Sequence, residues 1–277
     1  MHVGILTAPL RSQPLEVLIP WAAAQNIKAL EIDVRPGSHL DASNISEAQI
    51  AQLQRLLEQH DMRISSLASY GKLTGASKEV MNNDHKALED AIQLAARLGV
   101  KVVCTLGGMP ILGKSREQTI FEAVPAAFRP LLDLAAKHDI KIALENWFAT
   151  NMQHLEHWRM IFEALPDAHF GLNFDPSHLD WQGIEVLPAV HEFRERIFHV
   201  HAKDVSANEI KRARVGYNSD GWWRYVLPGY GRIRWGELIT TLRQVGYDDV
   251  LSIEHEDDAF NPEEGFLKAA RYLNSLV

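Results

Sequence analysis

The chain has 277 residues, of which 46% are hydrophobic and 23% are charged, a composition typical of a globular protein with a full core. Its formal net charge of −8 argues against a phosphate backbone as the main partner, so we expect no nucleic acid. We also expect no membrane partner, because no apolar run approaches the roughly 18 residues of a membrane span. The N-terminus lacks signal-peptide features and Cys104 is the only cysteine, so a cytoplasmic location is expected.

Short apolar runs recur along the chain, and most are separated by segments with helical periodicity. Near-continuous apolar character is typical of strands that are buried on both faces, as in a parallel sheet. The eight runs are 2–7, 29–34, 63–69, 100–108, 141–147, 169–175, 197–204 and 249–257.

The intervening segments carry helix signals. Ser46 and Gln49 form a capping-box pattern before a helix that places Ile50 and Leu53 on one face. Gly99 follows a second helix as a C-terminal cap. Pro130 predicts a late start or a kink in the helix between the fourth and fifth strands.

Eight strand–helix units without a linker predict one α/β domain over residues 1–277, folded as a single (β/α)₈ TIM barrel. A doubly wound open sheet is the alternative, but the glycine-rich fingerprint after its first strand is absent. Residues 205–234, after the seventh strand, exceed an ordinary loop and are rich in Gly, Trp, Tyr and Arg. We predict that this long loop is a lid over a site.

Four successive strands end in side chains that can bind a metal: Glu145, Asp175, His201 and Glu254. A lone Glu or His at such a position is more often a cap, an ion pair or a core hydrogen-bonding group. Barrel enzymes, however, build their sites at the carboxyl ends of the strands, and three converging carboxylates would repel each other without a cation. An oxygen-rich set with one imidazole predicts a divalent ion such as Mn²⁺, Mg²⁺ or Co²⁺ rather than a thiolate zinc site.

The motifs "LEN" (144–146), "NFDPSH" (173–178), "HVHAKD" (199–204) and "SIEHED" (252–257) resemble the xylose isomerase-like TIM-barrel superfamily. Within it, the chain is similar to the sugar phosphate isomerase/epimerase group, which includes ketose 3-epimerases and inosose dehydratases. The resemblance implies that Glu145, Asp175, His201 and Glu254 bind the metal. It also implies that Glu145 and Glu254 transfer protons on opposite faces of the substrate and that His178 contacts the substrate oxygen near the metal.

One position departs from the epimerases, which carry an Arg six residues after the histidine ligand. That position is Ala207 here, and Arg212 or Arg214 is the predicted substitute. Lys203 and Trp147 are further substrate-binding candidates, together with His178. The alternative for Lys203 is a structural ion pair with a strand-end acid.

The predicted function is a divalent-metal-dependent sugar isomerase/epimerase that moves a proton next to a carbonyl through an ene-diolate. Mn²⁺ is the preferred ion, with Mg²⁺, Co²⁺ or Zn²⁺ as alternatives. The expected partner is a small sugar or keto-sugar, without a phosphate because no basic run marks a phosphate site. A homo-oligomer is expected by analogy.

Three other functions remain open at this point. The same residues could serve a keto-sugar dehydratase or lyase of the inosose type. An abasic-site endonuclease of the same superfamily is less favoured, because the histidines for its three zinc ions are missing from the third strand and from the loop after the seventh. A barrel that binds a sugar without catalysis is disfavoured by the four intact ligands.

Overall fold

The computed structural model describes residues 1–277 and contains a closed barrel of eight parallel strands. The ten strands of the chain are β1 His2–Leu6, β2 Ala29–Asp33, β3 Arg63–Ala68, β4 Val102–Leu106, β5 Lys141–Glu145, β6 Phe170–Phe174, β7 Ile197–Ala202, β8 Asp204–Ala207, β9 Trp223–Val226 and β10 Val250–Ile253. The barrel consists of β1 to β7 and β10. Because β1 pairs in parallel with both β2 and β10, the sheet has no open edge. The predicted (β/α)₈ barrel is confirmed, and the open-sheet alternative is wrong.

Helices surround the barrel and cover its outer face. They are α1 Leu15–Ala24, α2 Glu47–Gln59, α3 Lys78–Leu98, α4 Arg116–Glu122, α5 Val124–Lys137, α6 Leu155–Ala164, α7 Ser177–Asp180, α8 Val186–Glu192, α9 Glu209–Val215, α10 Trp235–Gln244 and α11 Pro262–Asn274. A hydrophobic core of 61 buried residues draws on both the strands and these helices. None of the helices is long and apolar enough to span a membrane.

The helix ends agree in part with the sequence signals. Ser46 and Gln49 form the predicted capping box of α2, and Gly99 ends α3 in the left-handed conformation with φ of 72°. The late start expected from Pro130 is wrong, because α5 begins at Val124 and continues through that proline. A second proline lies in the first turn of α5, where its missing N–H costs no helical hydrogen bond.

The segment 205–234 contains regular structure instead of the long loop that the sequence predicted. Strands β8 and β9 form an antiparallel hairpin in which Val205 pairs with Tyr225 and Ala207 with Trp223, and α9 lies between them. We call residues 204–226 the hairpin segment. It follows β7 directly, at the carboxyl end of the barrel.

Asp204 fixes the base of the hairpin segment to the body of the protein. Its buried carboxylate accepts hydrogen bonds from the backbone N–H groups of Val205 (2.8 Å), Gly229 (3.1 Å) and Ile233 (3.1 Å). The indole N–H of Trp235, the first residue of α10, donates the fourth bond (3.0 Å). Four donors on one buried carboxylate hold the hairpin in a single orientation relative to the barrel.

Candidate metal centre and active site

The four residues predicted to bind a metal converge at the carboxyl end of the barrel. Glu145 ends β5, Asp175 follows β6, His201 lies in β7 and Glu254 follows β10. These strands are neighbours in the barrel, so their carboxyl ends place the side chains around one point. One ligand atom from each of the four residues lies within 4.8 Å of the others.

Two of these side chains keep a buried atom without a hydrogen-bond partner. They are Oδ2 of Asp175 and Nδ1 of His201, and both residues are fully buried. The other carboxylate oxygen of Asp175 accepts from the backbone N–H of Ser177 (2.8 Å). Each of these two atoms instead faces a charged group of the same site: Lys203 Nζ lies 3.2 Å from Asp175 Oδ2, and Glu254 Oε2 lies 3.0 Å from His201 Nδ1. Both atoms therefore lie within the group of four residues that would hold a cation.

A buried ammonium group lies beside the carboxylates at this point. The ammonium of Lys203 is buried and lies 2.6 Å from Glu254 Oε2 and 3.2 Å from Asp175 Oδ2. Burial opposes the charge of Lys203, but Asp175 and Glu254 raise its pKa well above the ordinary value. Burial likewise opposes the negative charge of Glu254, whereas Lys203 and His201 hold its pKa well below the ordinary range. Three carboxylates and one imidazole are ligand types that suit a divalent ion, and Lys203 balances part of their negative charge.

The imidazole of His201 is held from the opposite side by Glu31, a residue that the sequence analysis did not identify. The distance between Nε2 of His201 and Oε2 of Glu31 is 3.0 Å. Tyr70 donates its hydroxyl to Oε1 of Glu31 (2.7 Å), and Ser252 donates to Oε2 (2.8 Å). A carboxylate on one ring nitrogen orients the other towards a metal, as is common for histidine ligands. Nδ1 of His201 lies 3.0 Å from Glu254 Oε2, among the other ligands.

His178 lies in the short helix α7, where Pro176 and Ser177 turn the chain back over the site. Its Nε2 is 3.1 Å from Glu145 Oε1, and its Nδ1 is 2.6 Å from the hydroxyl of Tyr225 on β9. Both ring nitrogens therefore have partners, one in the barrel and one in the hairpin segment. The hairpin reaches the predicted site through Tyr225.

The ends of β5 and β6 are joined by one further side chain, Asn146. Its amide nitrogen donates to the carbonyl oxygen of Asp175 (2.8 Å), and its amide oxygen accepts from the backbone N–H of Asp175 (2.7 Å). This reciprocal pair fixes the chain at Asp175 next to the chain at Glu145. The spacing of two predicted ligands is therefore set by the backbone.

The other substrate-binding candidates have different surroundings. Lys203 is placed among the predicted ligands, as described above. The ring of Trp147 lies 6.2 Å from that of Phe148, and it is Phe148 whose ring lies 6.0 Å from His178. Arg212 pairs with Glu209 and Tyr217 within the hairpin segment, and Arg214 is exposed on α9. A substrate contact for Trp147 stays a prediction.

Three similar proteins indicate the range of the family. An uncharacterized protein of Bacillus subtilis, YfiH, is 26% identical over 100% of this chain and 99% of its own length. An inosose dehydratase of Clostridium perfringens is 23% identical over 84% of this chain and 83% of its own length. The solved structure of a 3-keto-D-glucoside 4-epimerase from E. coli, YcjR, superimposes with a TM-score of 0.78 at 16% identity, covering 99% of both chains. The last similarity supports the fold alone.

A family model described as the xylose isomerase-like TIM barrel matches residues 19–276. The match covers most of the chain, including the strands that carry Glu145, Asp175, His201 and Glu254. It agrees with the closed barrel and with the resemblance that the sequence motifs indicated. The chain belongs to the xylose isomerase-like TIM-barrel family.

Proposed function

We propose that the chain is a divalent-metal-dependent sugar isomerase or epimerase that transfers a proton at a carbon next to a carbonyl. The observation that carries the proposal is the convergence of Glu145, Asp175, His201 and Glu254 within 4.8 Å. Buried atoms of two of them, Asp175 Oδ2 and His201 Nδ1, make no hydrogen bond and lie among the other charged groups of the site. Two glutamates on one site provide a base and an acid for the same carbon or for neighbouring carbons.

The four converging residues would hold the ion. A divalent ion held there would supply Lewis-acid polarisation of a substrate carbonyl. Glu145 removes or returns the proton from one side, and His178 holds its carboxylate through the 3.1 Å contact. Glu254 acts from the other side, where Lys203 lies 2.6 Å away. A positioned base of this kind contributes about 10²–10⁴-fold to the rate.

Lys203 and His178 are the groups that would hold substrate oxygens. Lys203 carries a positive charge and is almost fully buried beside Glu145, Asp175 and Glu254, where a substrate hydroxyl or carbonyl would meet it. His178 is kept in place by Tyr225 through the 2.6 Å contact at Nδ1. Tyr225 belongs to the hairpin segment, which would exclude water from the reacting carbon.

The test is a deuterium wash-in assay with Mn²⁺ over a panel of ketoses, keto-glycosides and inososes. The native chain should exchange a proton next to the carbonyl of at least one compound with deuterated solvent. Glu145→Gln and Glu254→Gln should each lower that exchange by about 10²–10⁴-fold. Proton exchange at the native rate in either variant would contradict the mechanism.

The matched control is Glu256→Gln. Glu256 is a partly exposed carboxylate whose Oε2 lies 3.5 Å from Lys203, and it is not among the four converging residues. Its replacement should leave most of the exchange intact. If Glu256→Gln lowered the exchange as much as Glu254→Gln, the total negative charge around Lys203 would control the reaction. The two specific acids would then not be responsible.

A keto-sugar dehydratase is the second candidate, and the Clostridium perfringens relative, aligned over 84% of this chain, favours it. Such an enzyme abstracts the same proton and then expels a hydroxyl group from the adjacent carbon. Lys203, charged and close to both glutamates, would protonate the leaving hydroxyl. Product mass separates the two candidates, since a dehydratase product is lighter by one water.

The remaining expectations stay predictions of the proposal. They are Mn²⁺ as the ion, a cytoplasmic location, a homo-oligomer, the absence of a nucleic-acid partner, one domain over residues 1–277 and a lid role for residues 205–234. Metal analysis of the purified chain tests the first and the non-catalytic alternative together. A chain that binds no divalent ion would favour a sugar-binding barrel without catalysis.

A further inference from the structure

A cavity of about 300 Å³ opens beside the candidate active site. Its walls come from the loop after β5, the segment after α7 and the outer part of the hairpin segment. Phe148, Trp181 and Trp223 contribute an aromatic wall, and polar side chains that include Gln182 and Asp220 complete the lining. We call this cavity the aromatic cavity. Its volume is at the lower end of the range of small-molecule sites.

The aromatic wall is a packed cluster and not a set of separate rings. Trp181 and Trp223 stack with ring centroids 4.4 Å apart and an interplanar angle of 12°. Phe148 meets both edge-on, with centroids 4.8 Å from Trp181 and 5.9 Å from Trp223. Because each ring supports the others, the wall keeps its shape without a ligand.

Two elements connect the aromatic cavity to the active site. On β9, Trp223 and Tyr225 are two residues apart and lie on the same face of the strand. Trp223 lines the cavity, whereas Tyr225 contacts His178.

The segment of α7 makes the second connection. His178 lies at the site and Trp181 at the cavity, and Gln182 donates its amide to the carbonyl oxygen of His178 (2.6 Å). The ring of Phe148 borders both, since it lines the cavity and lies 6.0 Å from the ring of His178. The cavity therefore lies next to the candidate active site and shares the Phe148 ring with it.

The lining shows which chemistry the cavity would accept. None of its nine residues is basic, and Asp220 adds a negative charge, so a phosphate group is disfavoured. Aromatic rings pack against the apolar C–H face of a sugar ring, while amide and carboxylate side chains bind its hydroxyl groups. This combination fits a neutral, hydroxylated ring.

We propose that the aromatic cavity is a second sugar subsite and that the substrate is a glycoside. Its reacting ring lies between Glu145 and Glu254, and its second, uncharged ring packs against Trp223. The position of the reacting ring rests on the proposed function, but binding of the second ring does not. The inference narrows the substrate from any sugar to a compound of two linked rings without a phosphate.

The test measures binding by the full-length chain, with tryptophan fluorescence and saturation-transfer NMR as readouts. The probes are cellobiose, maltose, D-glucose and D-glucose 6-phosphate. At least one disaccharide should bind about tenfold more tightly than glucose or its phosphate, with signals from both rings. The proposal is overturned if neither disaccharide binds more tightly than glucose, or if the phosphate binds best.

Substitutions in the cavity lining test whether the disaccharide binds in the aromatic cavity. Trp223→Ala should weaken disaccharide binding about tenfold, and Trp223→Phe should retain most of it. Asp220→Asn changes an exposed position that does not threaten folding, and it should weaken binding severalfold. The matched control is Tyr230→Ala, an aromatic residue 52% exposed that packs on Phe260 and does not line the cavity. Equal binding by Trp223→Ala, Asp220→Asn and the control would overturn the subsite.

The readout also separates this inference from the proposed function. Disaccharide binding without metal-dependent proton exchange removes the proposed enzyme activity and leaves the subsite. Proton exchange on single-ring ketoses, together with no preference for disaccharides, removes the subsite and leaves the activity.

Discussion

The barrel holds two clusters of buried titratable groups that share one residue, His201. The upper cluster, Glu145, Asp175, His201 and Glu254, lies at the carboxyl ends of the strands. The lower cluster consists of Glu31, His199 and His201 and lies deeper in the barrel. By residue type and proximity alone, either cluster is a candidate for a metal centre.

Hydrogen bonding distinguishes the two clusters. In the lower one, Glu31 accepts from Tyr70 and Ser252, while His199 has Asn173 at Nδ1 (3.0 Å) and Ser65 at Nε2 (3.2 Å). In the upper one, Asp175 Oδ2 and His201 Nδ1 make no hydrogen bond and face only charged groups of the site, among them Lys203 and Glu254. The upper cluster therefore contains ligand atoms that no hydrogen bond occupies, whereas these atoms of the lower cluster are hydrogen-bonded. The lower cluster supports it by fixing the imidazole that both share.

The electrostatics of the lower cluster agree with a supporting role. Burial alone would raise the pKa of Glu31, but His201 and His199 lower it to about 2. Burial lowers the pKa of His199 to about 4, so this imidazole is neutral near pH 7. The charged carboxylate of Glu31 therefore stabilises positive charge on the imidazole of His201. In this role Glu31 supports a ligand and does not bind an ion itself.

Asp175→Asn should lower Mn²⁺ affinity the most of three variants in the two clusters. It removes a charged ligand but keeps the oxygen that accepts from the Ser177 N–H. We expect Mn²⁺ affinity to fall by more than the roughly 10–100-fold that is typical of residues that only support ligands. Metal analysis and competition titration measure it. Asp180→Asn, in the same segment and paired with Arg232, is the control. Unchanged affinity in Asp175→Asn would place the ion elsewhere.

Glu31→Gln should lower Mn²⁺ affinity by an intermediate amount. The change keeps the shape of the side chain but removes the charge that faces Nε2 of His201. We expect Mn²⁺ affinity to fall about 10–100-fold, while one ion per chain still binds at saturating metal. If the native chain binds two ions and Glu31→Gln binds one, the lower cluster is a metal site itself. The conclusion that it only supports the upper cluster would then be wrong.

Tyr70→Phe should lower Mn²⁺ affinity the least of the three variants. It removes the hydroxyl that donates to Oε1 of Glu31, which costs about 0.5–1.5 kcal/mol and corresponds to at most about tenfold in Mn²⁺ affinity. The control is Tyr247→Phe, which removes another buried hydroxyl, one that donates to the Val250 carbonyl. The control should lower stability to denaturant without changing metal affinity. Equal affinities for the two variants would show that Tyr70 supports the fold only.

The sequence located the upper cluster because its members follow a rule of position. Glu145, Asp175, His201 and Glu254 stand at or near the ends of apolar runs, and parallel strands bring such positions together. Glu31 obeys no such rule, since it lies in the middle of the strand "ALEID". A charged residue within a strand buried on both faces is itself a signal, because it requires a partner. Which partner it has depends on barrel closure, which places β2 across from β7.

The hairpin segment shows a second limit of sequence patterns. Its length and its aromatic residues indicated a role near the site, but not that Ala207 pairs with Trp223 across α9. This pairing depends on Asp204, whose four donors come from Val205 and from residues 229–235. Contacts between residues so far apart in the chain cannot be seen in local periodicity. The strands with strong apolar runs were predicted because their signal is local.

The reciprocal bonds of Asn146 with the backbone of Asp175 have a consequence for metal selectivity. They act as one additional rung of the β5–β6 ladder, built from a side chain beyond the last strand residue. The gap between Glu145 and Asp175 is thus a property of the folded apoprotein. If the four residues hold an ion as proposed, ions of different radius would meet the same spacing of Glu145 and Asp175, and selectivity would depend on how far Glu254 can adjust.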